Sequence, residues 1–170
     1  MTDTLAKDAP ASGTPPNAAK RGVIAYLCLN GAIKAGDLYK KAFGAEQAHM
    51  HPADDKGRTM HLHLYINGSS VMLSDPFPEH GGNFAPAAGY TLMLPVKDVD
   101  AAWQRAVDAG FTGNMPPADM FWGDRYGVIV DPFGHSWSVA THQRDMTAEE
   151  IQDAMLKMAS CSVAKPTHKA

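Results

Sequence analysis

Cysteine is scarce in this chain: of 170 residues only Cys28 and Cys161 are cysteines. One lies in a strand-like run and the other in a tail, so a disulfide scaffold is not expected. Long apolar runs are also missing, since no stretch approaches the ~20 residues that span a bilayer. The first twenty residues carry Asp3, Asp8 and three prolines but no apolar centre of a secretory signal. Nor does one sign of charge prevail: 15 basic residues face 18 acidic ones, a net charge of −3. That balance argues against a nucleic-acid or anionic-membrane partner, both of which favour a basic patch, and adjacent Lys20 and Arg21 are too few to reverse it. There is no GxSxG elbow, no GxxxxGK phosphate loop and no GxGxxG after a strand, so three common routes to catalysis or nucleotide binding fall away. A cytoplasmic protein is the expectation these absences leave.

What is present is a globular composition, 45% apolar and 19% charged, in a length that suits one domain. Residues 1–20 are rich in Ala, Pro, Ser, Thr and Gly without hydrophobic period, and read as a disordered tail. From Arg21 the pattern alternates. GVIAYLCL (22–29) reads as a strand, Ala32–Phe43 as a helix stopped by Gly44, and Gln47–His49 as a short strand. In TMHLHLYI (59–66), Met60, Leu62, Leu64 and Ile66 alternate with Thr59, His61, His63 and Tyr65, the period of a two-faced strand. Asn67-Gly68 then marks a hairpin whose return strand is SVMLS.

The order recurs. YTLMLPV (90–96) is a strand, 98–110 a helix with Asp98 as N-cap and Gly110 as stop, and DRYGVIV and HSWSVAT are strands around the turn Pro132-Phe133-Gly134. Gly44 to Gly110 spans 66 residues (110 − 44), as does Gly68 to Gly134 (134 − 68). One offset at two landmarks is the mark of a tandem repeat of β-α-β-β-β units. Thr147 and Glu150 form a capping-box pattern ahead of a C-terminal helix whose Ile151, Ala154, Met155 and Met158 share one face. The domain plan is therefore a tail over 1–20, a domain over 21–142 with modules near 22–76 and 88–142, and a helix and tail over 143–170.

LYKKAFGAE (38–46), FWGDRYGVIVDPFGHSWSVATH (121–142) and the paired β-α-β-β-β layout resemble the PhnB-like branch of the glyoxalase/bleomycin-resistance/dihydroxybiphenyl-dioxygenase group, the vicinal oxygen chelate superfamily. The resemblance covers roughly residues 22–142. It implies an α+β fold with a cupped eight-stranded mixed sheet, helices outside, a homodimer, and a cavity that often holds a divalent metal with a chelating substrate. Ligands in metal-dependent members come from the first and last strand of each module. Carried over by motif and by the 66-residue offset, those positions read Ala25, Met72, Thr91 and Ser138, with Ile24 or Tyr26 replacing Ala25 after a one-residue register change. None is a strong ligand, so the usual tetrad is expected to be absent, and the cofactor is either none or a divalent metal held elsewhere.

A metal has one other opening. His61 and His63 are two apart on a strand and project to one face with Cβ atoms roughly 7 Å apart, and Asp124, His49 or His51 can supply a third ligand for zinc, iron or manganese. The plainer use of both is hydrogen bonding on a polar strand face. His135 and His142 read as structural or surface residues. Trp122, Arg125, Tyr126 and Trp137 fall in the most family-like segment. Arg125 can grip an anionic oxygen or pair with Asp124 or Asp131, and Trp122 can stack on a planar ligand or, with Trp137, fill the sheet. Tyr26, Met72, Thr91, Met93 and Ser138 are cavity candidates by topology. Three functions are open: a metal-free small-molecule-binding protein; a metal-dependent lyase, isomerase or dioxygenase with a non-standard site at His61 and His63; or an interaction protein assembled through the C-terminal helix, whose apolar stripe is otherwise expected to pack on its own core.

Overall fold

A computed structural model describes residues 18–20 and 22–162, and within the last helix the side chains as far as Lys157. Residues 1–17 of the expected tail and the segment after Ser162 lie outside the described residues. Two compact units follow each other along the chain, meeting near residue 85, with Lys41–Phe43 grouped with the second.

The first unit contains β1 (Ala25–Cys28), α1 (Ala32–Phe43), β2 (Glu46–Met50), β3 (Leu62–Ile66) and β4 (Ser69–Ser74). Its sheet order is β1-β4-β3-β2, with β1 parallel to β4 and the other pairs antiparallel. Asn67 and Gly68, both at positive φ (48° and 74°), make the tight turn between β3 and β4 that their sequence promised. α1 approaches the sheet through Ala32, Ala35, Gly36, Tyr39 and Ala42, small residues apart from one tyrosine. The approach is close enough that a Cβ on Gly36 would lie 2.5 Å from Leu62 Cδ2, so any larger residue there has to displace the Leu62 side chain. Leu62, Leu64 and Leu73 thus form the helix-side core. Ala18 and Lys20, assigned by composition to the tail, make backbone bonds here: Lys20 O accepts from Ser70 N–H and Ala18 O from the Tyr65 hydroxyl.

The second unit repeats the plan with β5 (Leu92–Pro95), α2 (Val99–Ala109), β6 (Thr112–Asp119), β7 (Asp124–Val130) and β8 (Ser136–His142), in the order β5-β8-β7-β6. Asp98 caps α2 by accepting from Ala101 N–H. β6 has no clean alternation and contains Pro116-Pro117; these fit because β6 is an edge strand with two register shifts against β7. Trp103 of α2 lies against Gly113 and Gly127 and donates Nε1–H to Met115 O at 3.0 Å. Trp137 is core: it is buried, and its Nε1–H reaches Asp131 Oδ2 at 3.1 Å. Thr147 and Glu150 close a reciprocal capping box at the start of α3 (Ala148–Ser162), which carries Cys161 in its last turn. No helix among the described residues is long and apolar enough to cross a membrane.

One expected alignment is corrected. The 66-residue offset equates Ala25 with Thr91, but Tyr26 pairs with Met72 while Met93 pairs with Ser138. β4 and β8 keep the 66-residue offset (138 − 72), whereas β1 and β5 differ by 67 (93 − 26). The cause is helix length: α1 has 12 residues and α2 has 11. Because strand side chains alternate faces, Ala25 points with Val71 away from Met72, and Ile24 and Tyr26 are the counterparts of Thr91 and Met93.

Candidate functional site

Each sheet has a helix-covered face and a second face, and the candidate residues separate cleanly between them. In the first unit Leu62 and Leu64 meet α1, so His63 and Tyr65 point the other way. Register then places Tyr26, Met72, His63 and His49 in one row across β1, β4, β3 and β2. His63 is buried, with Nε2 2.8 Å from Ser70 Oγ, and its ring stands edge-on to Tyr65. Tyr26 is 53% exposed, and its hydroxyl lies 3.3 Å from His61 Nδ1 and 3.4 Å from Met60 O.

His61 and His63 therefore do share a face, and β2 brings His49 and His51 beside them. Ring centroids are 5.2 Å apart for His49–His51, 5.6 Å for His51–His61 and 6.3 Å for both His49–His61 and His61–His63. Burial holds the His61 pKa below its ordinary value, with repulsion from His51, His63 and His49 adding to it. Asp124, named from sequence as a third ligand, lies in the second unit, where it accepts from Trp122 Nε1–H and hydrogen-bonds His142.

In the second unit Gly127 faces Trp103 of α2, so Arg125 and Ile129 share that side while Tyr126, Val128, Ser138 and Met93 occupy the other. Three hydroxyls meet there. Ser138 Oγ, on a residue only 2% exposed, is 3.2 Å from Thr91 Oγ1 and 2.5 Å from the Tyr126 hydroxyl. Met93, 53% exposed, stands in the same row as Ser138, and Trp122 lies edge-on to Tyr126. The result is a half-exposed apolar and aromatic surface around one polar knot.

Arg125 is placed elsewhere. Its guanidinium forms a two-pronged pair with Asp100 of α2, both bonds 2.7 Å, and a third bond of 3.0 Å to Asp119. These carboxylates, neither of them the Asp124 or Asp131 named from sequence, occupy the donors that an anionic ligand would need. His135 is buried in the turn before β8, with Nδ1 hydrogen-bonded to the Tyr90 hydroxyl at 2.5 Å; burial lowers its pKa despite the neighbouring Asp131. His142 is an exposed residue whose pKa is raised by hydrogen bonds to Asp124 and Asp145.

The strand positions from which the resemblance would have a metal held carry Ile24 or Tyr26 and Met72 in the first unit, and Thr91 and Ser138 in the second. Phenol, thioether and hydroxyl do not make the imidazole and carboxylate set that a divalent ion requires. The residues present do not fit a metal there. Two pairings are cross-strand: the partners of Arg125, which the sequence did not give, and the apposition of His49 and His51 to the His61/His63 pair, which it offered only as one of three sources of a third ligand. The second was signalled by two His-x-His spacings in strands that the loop HPADDKGR makes antiparallel.

Comparison with known proteins agrees with this architecture. The family model of the Glyoxalase/Bleomycin resistance protein/Dioxygenase superfamily matches residues 27–139. The uncharacterized protein Rv0887c of Mycobacterium tuberculosis is 43% identical over 136 residues, covering 76% of this chain and 79% of that one. The crystal structure of protein PA1353 from Pseudomonas aeruginosa superposes with a TM-score of 0.59 at 28% identity, over 72% of this chain and 98% of the other. The PhnB protein from Bacillus cereus shares the fold with a TM-score of 0.55 at 18% identity, over 71% and 99% of the two chains. By the extent of the family match and the repeated unit that carries it, the chain belongs to the Glyoxalase/Bleomycin resistance protein/Dioxygenase superfamily.

Proposed function

We infer that the protein binds a small, largely apolar molecule on the helix-free faces of its sheets, without a metal at the first-strand and last-strand positions. The observation that carries this reading is the Thr91–Ser138–Tyr126 hydroxyl cluster beside Met93 and Trp122. Ligand sites combine apolar and aromatic lining with a few fixed polar groups, and this surface has both. Three hydroxyls share few protons and many lone pairs, so they accept from or donate to a ligand carbonyl or hydroxyl without needing a charge. Tyr26 and Met72 supply the corresponding surface in the first unit. A planar aromatic compound bearing an oxygen substituent suits these groups best. The same reading makes the protein a cytoplasmic homodimer, supported by Met155 and Leu156 of α3, which stand 54% and 63% exposed.

A thermal-shift and Trp-fluorescence screen with naphthoquinones, naphthols and bleomycin tests it. At least one compound should stabilise the protein equally with and without EDTA, and Thr91→Val with Tyr126→Phe should weaken that binding by roughly tenfold, the worth of one or two neutral hydrogen bonds. Binding that vanishes with EDTA, or that ignores both substitutions, would overturn the reading.

A further inference from the structure

The first unit carries a feature that the hydroxyl-centred site does not use: a two-by-two array of histidines. His49 on β2 is the register partner of His63 on β3. Two residues further along each strand, His51 N–H donates to His61 O at 2.8 Å, which makes His51 and His61 the next pair on the same face. Four imidazoles on one patch have no packing advantage over smaller residues, and protonation of any one disfavours protonation of the rest. They do share one capacity, to present neutral nitrogen donors to a cation.

We propose that His49, His51 and His61 bind one late first-row divalent cation of the zinc type. An ion ~2.0–2.1 Å from each ring nitrogen sits about 3.2 Å from each ring centre, so tetrahedral ligands have ring centres about 5.3 Å apart. The His49–His51 and His51–His61 separations of 5.2 and 5.6 Å match this, and the His49–His61 separation of 6.3 Å is about 1 Å too wide. Accordingly, no three His, Cys, Asp or Glu side chains among the described residues already stand in ligand geometry. Closing the gap is a rotamer change of two exposed rings. The rings of His49 and His51 are both solvent-facing, and among the described residues neither imidazole makes a hydrogen bond that the change would break. His63, buried with Nε2 on Ser70 Oγ, forms the floor beneath.

A second observation orients His61. The Tyr26 hydroxyl lies 3.4 Å from Met60 O and 3.3 Å from His61 Nδ1; with its single proton donated to Met60 O, Tyr26 Oη is free to accept from His61 Nδ1–H. That tautomer leaves the lone pair on Nε2, the arrangement in which a ligating histidine is fixed by a partner on its other nitrogen. Three imidazoles with no carboxylate favour zinc, nickel or copper over manganese or magnesium, and they leave one coordination position open. The three ligands come from β2 and the entry to β3 rather than from the first or last strand, which contributes only Tyr26 as the partner of His61, and the site does not depend on the hydroxyl-centred surface of the second unit binding anything.

The test uses the full chain without a histidine tag, stripped with EDTA, desalted and titrated with zinc chloride by calorimetry, with metal content measured after a second desalting. One zinc per chain is expected to remain. His61→Ala, and the pair His49→Ala with His51→Ala, should each lower the affinity tenfold or more, and Tyr26→Phe should lower it roughly tenfold through the lost orienting bond. Because His49 and His51 are exposed, the paired variant should melt in EDTA at the wild-type temperature, which separates lost binding from lost folding. Protein that retains no zinc, or a paired variant that binds it as tightly as wild type and so places the ion on His80, His135, His142 or His168, overturns the proposal.

Discussion

Replacing Asp75 with alanine should destabilise the protein more than its position in a loop implies. α1 begins at Gly31, a residue with no side chain to cap the helix. Asp75, just after β4 and 5% exposed, performs that task from 44 residues away: Oδ1 accepts from Gly31 N–H at 2.7 Å and from Ala32 N–H at 3.3 Å. Its other oxygen accepts from Thr59 N–H at 2.9 Å, so one carboxylate ties together the start of the helix, the entry to β3 and the exit from β4. Ala32 and Thr59 are wholly buried, so water cannot take the place of the lost acceptor without a rearrangement. A buried donor left unsatisfied costs about 1–3 kcal/mol; the Gly31 N–H is only part-buried and can turn to water, so the Ala32 and Thr59 donors give about 2–6 kcal/mol. A carboxylate near a helix N-terminus is worth a further ~0.3–1 kcal/mol. For a chain of this size 1 kcal/mol moves the melting point by about 2–4 °C, so Asp75→Ala should melt roughly 10 °C lower. Asp75→Asn keeps one acceptor oxygen for α1 but turns an N–H₂ towards Thr59 N–H, and should lose about half as much. Scanning calorimetry at pH 7 measures both. An alanine variant within about 2 °C of wild type, or an asparagine variant worse than alanine, would show that the carboxylate is not the tie described.

Gly36→Ala and Gly113→Ala, whose new Cβ atoms would lie 2.5 Å from Leu62 and 2.3 Å from Trp103, should each cost about 1–3 kcal/mol by overpacking; unchanged denaturant midpoints would refute the close packing of helix on sheet. Acidification should destabilise the first unit through His61: its folded pKa lies below the unfolded value of about 6.5, so the unfolded chain takes up the extra proton and stability present above pH ~6.5 is lost as pH falls towards the folded value. Melting temperatures from pH 7.5 to 5 should show that slope shrinking in His61→Gln, and an identical slope in both proteins would contradict it. Arg125→Ala should change stability by no more than about 1 kcal/mol because its ion pairs are largely exposed, and ligand binding should be unaffected; a large loss of binding would place the guanidinium in the site after all. On the proposal that the protein is a dimer, removing residues 146–170 should lower the number of subunits from two to one on multi-angle light scattering, whereas an unchanged number of subunits would free α3 of any role in assembly.

The fold was legible where local rules act alone. Helix stops at Gly44 and Gly110, the Asn67-Gly68 turn and the Thr147–Glu150 box are each written in neighbouring residues, and each is found in place. β6 was less legible because its residues obey an edge rather than a period, two prolines among them. Among the candidate residues, faces could be read from alternation but partners could not. Arg125 was assigned to nearby aspartates in sequence; Asp100 reaches it from α2 because a helix crosses the sheet at that point, and such a crossing has no trace in spacing. His49 and His51 were visible as neighbours in sequence, yet their apposition to His61 needed the strand pairing.

The extra residue in α1 carries a lesson about how such a repeat diversifies. A helix absorbs one added residue as a turn of about 100°, and its capping glycines at Gly44 and Gly110 still align, so the core pays little. Upstream, the same residue raises the count between equivalent positions of β1 and β5 from 66 to 67 without moving the strand, and in a strand a miscount of one exchanges inside for outside. The two halves can therefore keep matching cores while setting Tyr26 where the other half sets Met93. Transferring ligand positions between halves, or from distant relatives, by a fixed count along the chain would then compare a core residue with a surface one; counting across hydrogen-bonded strand pairs compares like with like.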